Sequence, residues 1–554
     1  MDNQRVFVWA ALALVLWLNY LAWQRDYAPA PVPASTSAVT ERRADSSLPE
    51  LPAASNGAAT ASESRAPGAA PTSAPVEKIR VTTDVLSLDI STRGGELVRA
   101  DLLKYWQDKK DPSVPVRLLD DTPPGVFVAR SGLRAVGRAA EPTHEAIFQS
   151  AAREYTLEPG AKELVVPLTW TDGQGITVTK TYTFRPGSYQ IDLAYEVTNE
   201  SGEDWQAASY VQLLRHYEHL ERSYFKVETY AYRGPAIYDG KAYHRLDVED
   251  ADTREFKQSI TGGWIAAMQH HFVAAAVPPV TQPHEYTLRV NEDNDFTLTY
   301  RGPLQSVPAG GTARFEETLF VGPKLQKQLA LAGPRLELVA DYGKLTVIAE
   351  PLFWLLQKVH SVVGNWGWAI VIVTFLIKLA FYKLTAASGR SMAKMRNLAP
   401  RIKAIQERYK DDREQLGRQM MELYKREKIN PLAGCLPILI QIPFFLAFYW
   451  VLLESAEMRQ APFLGWITDL SSRDPYFILP ILMAAAMFAQ FKLQPMPSAD
   501  PLQAKIFMLM PLLMAIMMAW FPAGLVLYWL TNTLLSIAQQ WRINKLVAAE
   551  QKKS

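Results

Sequence analysis

Cysteine is almost absent from this sequence. The 554 residues contain a single cysteine, Cys435, so an intrachain disulfide cannot form and a disulfide-stabilised scaffold is excluded. Cys435 lies beside an apolar run, where a lone cysteine is more often a small packing residue than a nucleophile. Net charge is also small, +2 at pH 7, and gives no reason to expect nucleic acid as a specific partner.

Motifs for energy-driven chemistry are missing as well. The sequence has no GxxxxGK[ST] phosphate loop. Its apolar segments also contain no pair or chain of acidic residues, although ion-driven transport usually needs acidic residues at membrane depth. His216 and His219 could share a metal, but no third ligand is evident nearby and the HExxH pattern is absent. We therefore expect no cofactor, no metal site and no enzymatic activity.

Long apolar runs are confined to the first 25 positions and to the chain after about residue 350. Residues 1–27 contain the run Val6–Trp23, which is long enough to cross a bilayer and carries Trp and Tyr at one end. A cleavable signal peptide is the alternative, but its apolar part would be shorter and the candidate cleavage site is poor. We predict an uncleaved anchor, followed over residues 28–76 by a disordered linker rich in Ala and Pro.

Residues 77–340 change to alternating apolar and polar positions. Ile176, Val178, Tyr182 and Phe184 share one parity, and similar segments are separated by Gly, Pro and Asn turns. This pattern predicts a large antiparallel β-sandwich. Such domains also bind carbohydrate, but that reading depends on fold analogy alone, and a docking or spacer role is favoured.

Residues 366–541 contain five further apolar segments, preceded over residues 341–365 by a predicted amphipathic helix at the membrane interface. The five segments are Trp366–Tyr382, Cys435–Leu453, Tyr476–Phe491, Ile506–Phe521 and Leu525–Trp541. With the N-terminal anchor they predict a polytopic α-helical membrane protein of six transmembrane helices.

Charge in the loops predicts the orientation of these helices. The loop over residues 383–430 carries 13 Lys or Arg against 6 Asp or Glu, and the tail over residues 542–554 is also basic. The positive-inside rule then puts both termini in the cytoplasm and the β domain in the periplasm.

Residues 384–430 have two apolar stripes at helical spacing, one from Met395 to Tyr409 and one from Leu416 to Tyr424. They predict two antiparallel helices in a cytoplasmic hairpin. The hairpin is either a solvated element held near anionic lipid by its charge or a docking arm for ribosomes, targeting factors or nascent chains. The basic residues that would act in docking are Lys394, Arg396, Arg401, Lys403 and Arg408.

Lys378 is a charge about 12 residues into its apolar segment. A charged side chain near the centre of a membrane helix costs roughly 2.5–3.5 kcal/mol on insertion scales and usually faces protein or water. One reading is that its amine extends to the cytoplasmic interface. Polar residues in several segments favour a shared hydrophilic interior, although each could serve in helix packing. These residues are Thr374, Gln441, Asn532 and Ser536.

Five stretches resemble the YidC family of membrane protein insertases, which is related to the oxidase-assembly and thylakoid insertases. They are Val85–Gly95, Val363–Gly367, Ser391–Met395, Asn430–Cys435 and Phe521–Tyr528. The resemblance covers essentially the whole chain in order, apart from the linker.

The resemblance implies a periplasmic β-supersandwich and a hydrophilic groove that is open to the cytoplasm and to lipid. Lys378 matches the groove position where the family commonly has Arg, which keeps the charge but loses bidentate geometry. Thr374 and Gln441 match groove positions, and Tyr528 and Trp529 match an aromatic pair that contacts substrate helices.

The function implied is insertion, folding and assembly of inner-membrane proteins, alone or with the Sec translocase. The expected partners are nascent membrane proteins, the Sec complex, membrane lipid, and ribosomes and targeting factors bound by the hairpin and tail. Two alternatives remain. One is a solute transporter or channel, and the other is a membrane-anchored carbohydrate-active sandwich.

Overall fold

The structure is a computed structural model. It describes residues 48–50, 76–108, 111–137, 140–219, 231–340, 342–409, 412–427, 436–493 and 501–551. The predicted anchor over residues 1–27, most of the linker and Cys435 lie outside the described residues.

The N-terminal part of the described chain is built from 19 strands. In chain order they are β1 Lys78–Thr82, β2 Leu86–Ser91, β3 Leu97–Asp108, β4 Asp111–Leu119, β5 Phe127–Ala135, β6 Glu154–Thr156, β7 Leu164–Thr171, β8 Ile176–Phe184, β9 Gln190–Asn199, β10 Trp205–His216, β11 Gly234–Tyr238, β12 Tyr243–Arg245, β13 Lys257–Thr261, β14 Trp264–Met268, β15 Phe272–Val277, β16 Pro283–Val290, β17 Asp295–Arg301, β18 Gln305–Val307 and β19 Thr312–Pro323.

These strands form two large sheets. The first has 11 strands in the order β13-β16-β17-β10-β5-β3-β2-β1-β6, with β18 beside β10 and β4 beside β3, and the second has 8 in the order β12-β11-β14-β15-β19-β9-β8-β7. The β-rich, sandwich-like domain expected from the sequence is therefore present. The expectation of an antiparallel fold is wrong at one edge, because β6 pairs with β1 in parallel, with Val81 opposite Tyr155.

Strand periodicity explains why the sheets pack together. β8 buries every second residue, so Ile176, Val178, Tyr182 and Phe184 all face the core. The same parity also buries a charge that the apolar pattern did not reveal, because Lys180 is fully buried between the sheets.

The described chain also contains ten α-helices. They are α1 Gln326–Ala332, α2 Thr346–Val363, α3 Trp366–Ala380, α4 Tyr382–Asn397, α5 Ala399–Arg408, α6 Arg413–Arg426, α7 Leu436–Glu454, α8 Ile478–Leu493, α9 Pro501–Met518 and α10 Ala523–Gln551. A single apolar cluster unites α2, α3, α7, α8, α9 and α10. We call these six helices and α4 the helical core.

The apolar helices are short relative to a bilayer. Within the described ranges, no single helix is both long and apolar enough to cross a membrane. Trp366–Ala380 and Tyr382–Ser391 meet the requirement together, but they are bent by 67° relative to each other. The number of transmembrane helices thus stays a prediction.

Two helix ends differ from the sequence expectation. The segment Trp366–Tyr382 does not form one straight helix, because α3 ends at Ala380 and the chain turns at Phe381. The basic tail beginning at residue 542 is not a separate element, since α10 continues unbroken to Gln551. Helical hydrogen bonding thus extends beyond the apolar segment at this end.

The sandwich contacts the helical core directly. His270 and His271 lie in the β14–β15 turn. Their Nε2 atoms are 3.0 and 3.1 Å from the carbonyl oxygen of Leu453. Gln460, in the loop after α7, donates to the carbonyl of Trp106 at 2.8 Å. We call these contacts the sandwich–core joint.

A short piece of the predicted linker is also ordered on the sandwich. Arg134 donates to the carbonyl of Pro49 and Arg301 to that of Glu50, while the Glu50 carboxylate pairs with Arg289 at 3.2 Å. The disorder expected over residues 28–76 therefore does not hold for Pro49 and Glu50.

Candidate functional site

A small cavity lies in the helical core where α3, α4, α7 and α10 meet, and we call it the core cavity. Its volume is about 30 Å³, which exceeds the roughly 10–15 Å³ that one water molecule needs. Polar and apolar side chains share its lining: Thr374, Lys378, Thr385, Gln441, Tyr528 and Asn532 on one hand, and Ile377, Phe381, Leu384 and Phe444 on the other.

Lys378 lies in the last turn of α3 and extends across to α10. Its Nζ donates to Ser536 Oγ at 2.8 Å, and Ser536 Oγ donates in turn to the carbonyl of Asn532 at 2.7 Å. Within the described ranges Lys378 has no carboxylate partner. The cavity therefore contains a cation that is hydrogen-bonded but not neutralised.

Thr374 is one turn before Lys378 on the same helix face. It is buried, and its hydroxyl donates to the carbonyl of Ile370 at 2.6 Å. Its proton is thus used within its own helix, and only its oxygen lone pairs are left to face the cavity. Gln441 on α7 and Asn532 on α10 complete the set of polar residues expected from the sequence.

The two aromatic residues expected to act together share a contact with Phe445, but their side chains point in different directions. Tyr528 lines the cavity and stacks on Phe448, with ring centroids 4.6 Å apart. Trp529 packs edge-on against Phe445 at 4.6 Å and is not part of the cavity lining. Consecutive residues of a helix point in directions about 100° apart, which explains the difference.

Several lining residues were missed by reasoning from the sequence. Phe381 and Phe444 pack edge to face at 5.1 Å and close one side of the cavity. Thr385 lies across the bend, where its Oγ1 accepts from Gln539 Nε2 at 2.7 Å. Thr385 is seven residues after Lys378, a spacing that puts two residues on the same face of a continuous helix. Because the helix is interrupted at Phe381, this spacing alone did not identify Thr385.

The hairpin residues lie away from the core cavity. Lys394 and Arg396 are on α4, and Lys403 is on α5. Arg401, also on α5, pairs with Glu427 at 2.9 Å, and the guanidinium of Arg408 lies 5.8 Å from the Tyr409 ring centre. These residues are absent from the described lining of the cavity.

The hairpin helices pack through the predicted apolar stripes. Leu398 and Ile402 are buried against Leu423, with Ile405, Met420 and Tyr424 around them. The amphipathic spacing read from the sequence thus corresponds to a real contact face between α5 and α6.

The histidines considered as metal ligands have separate partners. His216 Nδ1 lies 2.7 Å from Asp295, and His219 Nδ1 lies 2.5 Å from Glu249. Within the part of the chain that the structure describes, no group of three or more His, Cys, Asp or Glu is placed to hold a metal.

Comparison with known proteins identifies the family. Residues 78–355 match the YidC periplasmic domain, and residues 358–551 match the 60Kd inner membrane protein family. The membrane protein insertase YidC of Thioalkalivibrio sulfidiphilus is 46% identical, with 100% of both chains covered. That of Nitrosococcus oceani is 45% identical over 99% of this chain and 100% of its own.

A solved structure of an active YidC insertase covers 83% of this chain and 92% of its own, at 18% identity and a TM-score of 0.37. The sequence matches, and not this structural likeness, show the family. Those matches extend over the sandwich and the helical core alike, and over the full length of the relatives. The chain belongs to the YidC family of membrane protein insertases.

Proposed function

We propose that this protein inserts client proteins into the bacterial inner membrane and that the core cavity receives their polar segments. The observation that carries the proposal is the hydrogen bond from Lys378 to Ser536 inside a cavity that several polar side chains line. A polar group that leaves water for hydrocarbon without a hydrogen bond costs several kcal/mol. Partners inside the helical core reduce that cost.

Lys378 gives the cavity a preference for negative charge. Its amine has no carboxylate partner within the described ranges, and an ionic attraction is stronger in a poorly screened setting than in water. Because an ammonium lacks the planar fork of a guanidinium, Lys378 attracts charge without selecting a bidentate shape. Clients with acidic or polar tails are therefore its preferred substrates.

The bent pair of helices supports a lateral route. α3 ends just after Lys378, and α4 leaves at 67° to it, so the charged turn lies at the end of α3 and not in the middle of a straight helix. A client segment that starts at Lys378 then moves a shorter distance from the hairpin side to the apolar faces of α3 and α7 than it would if Lys378 were in the middle of a straight helix. This route requires no nucleotide hydrolysis by the protein.

The topology proposed for this function has six transmembrane helices, both termini in the cytoplasm and the sandwich in the periplasm. The support is the excess of Lys and Arg in residues 383–430. In that orientation the membrane potential favours outward movement of an acidic tail by about 2.3 kcal/mol per charge at 100 mV. The hairpin and α10 would then meet ribosomes, targeting factors and nascent chains, and the Sec translocase would be a partner in the membrane.

Site-specific photocrosslinking tests the proposal. A crosslinking residue is placed at Thr374, Gln441 or Tyr528, and a ribosome-stalled membrane protein is presented to the full-length protein in inverted vesicles. We expect adducts at all three positions. Leu513 on α9 is a matched apolar control, because it is 54% exposed and is not in the cavity lining. Adducts at Leu513 alone would rule out the cavity as the site of insertion.

A further inference from the structure

A second, larger cavity lies at one end of the sandwich, and we call it the arginine cavity. It has a volume of about 320 Å³ and lies where β10 ends and β5 begins. Three guanidinium groups and two amides surround it, together with an aromatic ring. These belong to Arg117, Arg215, Arg233, Gln107, Gln269 and Phe127, and the carboxylates of Asp120 and Glu218 also line the cavity.

The three arginines differ in how they are neutralised. Arg117 is fully paired, with Asp101 at 2.9 Å and Asp120 at 3.2 Å. Arg215 forms no ion pair within the described residues. Its Nη1 donates to the carbonyl of Met268 at 2.5 Å, and its guanidinium carbon lies 5.0 Å from the centre of the Phe127 ring.

Arg233 is the least satisfied of the three. Its Nε is buried and has no hydrogen-bond partner, and in the described part of the chain it forms no ion pair. Burial, followed by the nearby charge of Arg233, lowers the pKa of Arg215 to about 10. Arg215 thus stays charged at neutral pH and is repelled by Arg233.

Acidic groups near the cavity do not compensate for this pair. Asp120 is held by Arg117, and Asp295 is occupied by His216 at 2.7 Å. Glu218 raises the pKa of Arg215, after the larger effects of burial and of Arg233, but is exposed to solvent. Two unpaired like charges in a partly buried pocket are costly unless an anion lies between them.

The position of the cavity indicates where such an anion comes from. Gln107 directly follows Trp106, and Gln269 directly precedes His270, and both of those neighbours belong to the sandwich–core joint. The arginine cavity is therefore at the end of the sandwich that contacts the helical core. In the topology proposed above, on which this step rests, that end faces the membrane surface, where lipid phosphates are concentrated.

We propose that the arginine cavity binds a phosphate oxyanion, supplied by the headgroup of an anionic phospholipid next to the helical core. Arg215 and Arg233 are the ligands, since a guanidinium matches the oxygens of a phosphate through two parallel hydrogen bonds. Gln107 and Gln269 provide amide donors at the same wall. This site is separate from the core cavity and takes no part in binding the client.

The test uses the full-length protein and two probes. In the first arm, the protein is released from phosphatidylglycerol or phosphatidylcholine nanodiscs, and retained lipid is counted by native mass spectrometry. In the second arm, inorganic phosphate is added to lipid-free protein in detergent, at matched ionic strength, and the thermal unfolding of the sandwich is followed.

We expect wild-type protein to retain phosphatidylglycerol and the double variant Arg215→Gln, Arg233→Gln to retain at least about tenfold less, since the loss of even one hydrogen bond to a charged group corresponds to about that factor. Arg153→Gln is the matched control, because Arg153 is exposed and pairs with Glu77 elsewhere on the sandwich. Without ligand, the double variant loses the hydrogen bond from Arg215 to Met268 as well as the repulsion, so its thermal unfolding is measured alongside to show that it is folded. Arg233→Lys keeps the charge and should bind more weakly than wild type.

The outcomes separate the sources. Retention of phosphatidylglycerol that depends on both arginines supports a lipid headgroup. A thermal shift with inorganic phosphate and no retained lipid supports an oxyanion site filled from solution and overturns the lipid source. Wild-type protein that responds to neither probe, or a double variant that responds as wild type does, overturns the site.

Discussion

Lys180 is the most deeply buried charge in the described sandwich. Its Nζ donates to the carbonyl of Gly94 at 2.8 Å and to Ser131 Oγ at 2.9 Å, which joins β8 of one sheet to β5 and the β2–β3 turn of the other. Gly95 permits this close approach, since it has a φ of +60° and a Cβ there would meet the Lys180 side chain at 3.0 Å. The amine thus joins the two sheets in the middle of an apolar core.

The stability of the sandwich should depend on pH through this lysine. Burial lowers the pKa of Lys180 to about 7, whereas in the unfolded chain it is near 10.4. The unfolded state therefore binds more protons between these values, and stability rises with pH by up to about 1.4 kcal/mol per unit across that range. Urea unfolding of the full-length protein, followed by tryptophan fluorescence, should show this slope in wild type and a flatter one in Lys180→Met. Equal slopes would contradict it.

Lys378 makes a second residue-level prediction. Lys378→Arg should retain insertion, because the charge is kept, while Lys378→Glu should slow the insertion of clients with acidic tails by repulsion. Protease protection of a client in inverted vesicles measures both. Ser536→Ala removes the hydrogen-bond partner and leaves the charge, so it separates the effect of that hydrogen bond from the effect of the charge. Insertion at the same rate in the Arg and Glu variants would indicate that the amine only extends to the interface.

The polar set of the core cavity was largely predictable from single residues. Lys378, Gln441 and Asn532 stand out because polar residues are rare in apolar segments. Lys180 was not predictable, because an alternating strand gives no signal for one long polar side chain that finds carbonyl partners in the opposite sheet. Such pairings are set by tertiary packing between distant segments.

At the scale of elements, α4 docks on α10 through small residues. Ala386 and Ala393 pack near Ile543 and Val547. Gly389 lies between the two alanines, and a Cβ on it would be 2.8 Å from Ile543 Cδ1. Gln539 and Gln540 of α10 reach Thr385 Oγ1 and the carbonyl of Gly389. We call this contact the α4–α10 seam, and it continues the polar face of α10 beyond the core cavity.

Gly389→Leu should open the α4–α10 seam, because a large side chain cannot be accommodated at that distance. Hydrogen exchange of the α4 amides in the full-length protein should become at least several-fold faster, while Gly389→Ala gives a smaller change. Gly417→Leu on α6 is the matched control, as nothing lies within 4 Å of a Cβ at that position. Unchanged α4 exchange in Gly389→Leu would show that the seam does not hold the helix.

The helices were easier to predict from the sequence than the turns that join them. The spacing of Leu398, Ile402 and Leu423 predicted the face on which the hairpin closes. The 67° turn at Phe381 was not predictable, because the sequence has neither proline nor glycine there and stays apolar across it. The parallel pairing of β6 with β1 was hidden for a related reason, since local alternation is the same in parallel and antiparallel edges.

At the scale of the whole molecule, the sandwich–core joint connects the sandwich to the end of α7. The rings of His270 and His271 stack at 3.8 Å, and both donate to the Leu453 carbonyl near the end of α7. Burial lowers the pKa of His270 to about 3, so the donors stay neutral across the physiological range. The carbonyls at a helix C-terminus need such donors.

Replacing both histidines by alanine should loosen this joint without unfolding either domain. Hydrogen exchange across residues 455–460, which follow α7, should accelerate, while the amides of β8 and β9 stay protected. Exchange at these positions, corrected for intrinsic rates, should not change between about pH 5 and pH 8, since the ring titrates far below that range. His244→Ala is the control, because His244 binds Asp239 at 2.9 Å away from the joint. Equal exchange in the double variant and wild type would show that the histidines do not secure α7.

The shared carbonyl of Leu453 also bears on the order in which the protein matures. The residues that satisfy it lie at positions 270 and 271, so they leave the ribosome well before α7 does. A sandwich that has already folded would present two fixed donors to a helix that is still being made. We expect α7 to reach its final depth only after the sandwich has formed, which would make the first domain a template for the insertion of the chain's own second half.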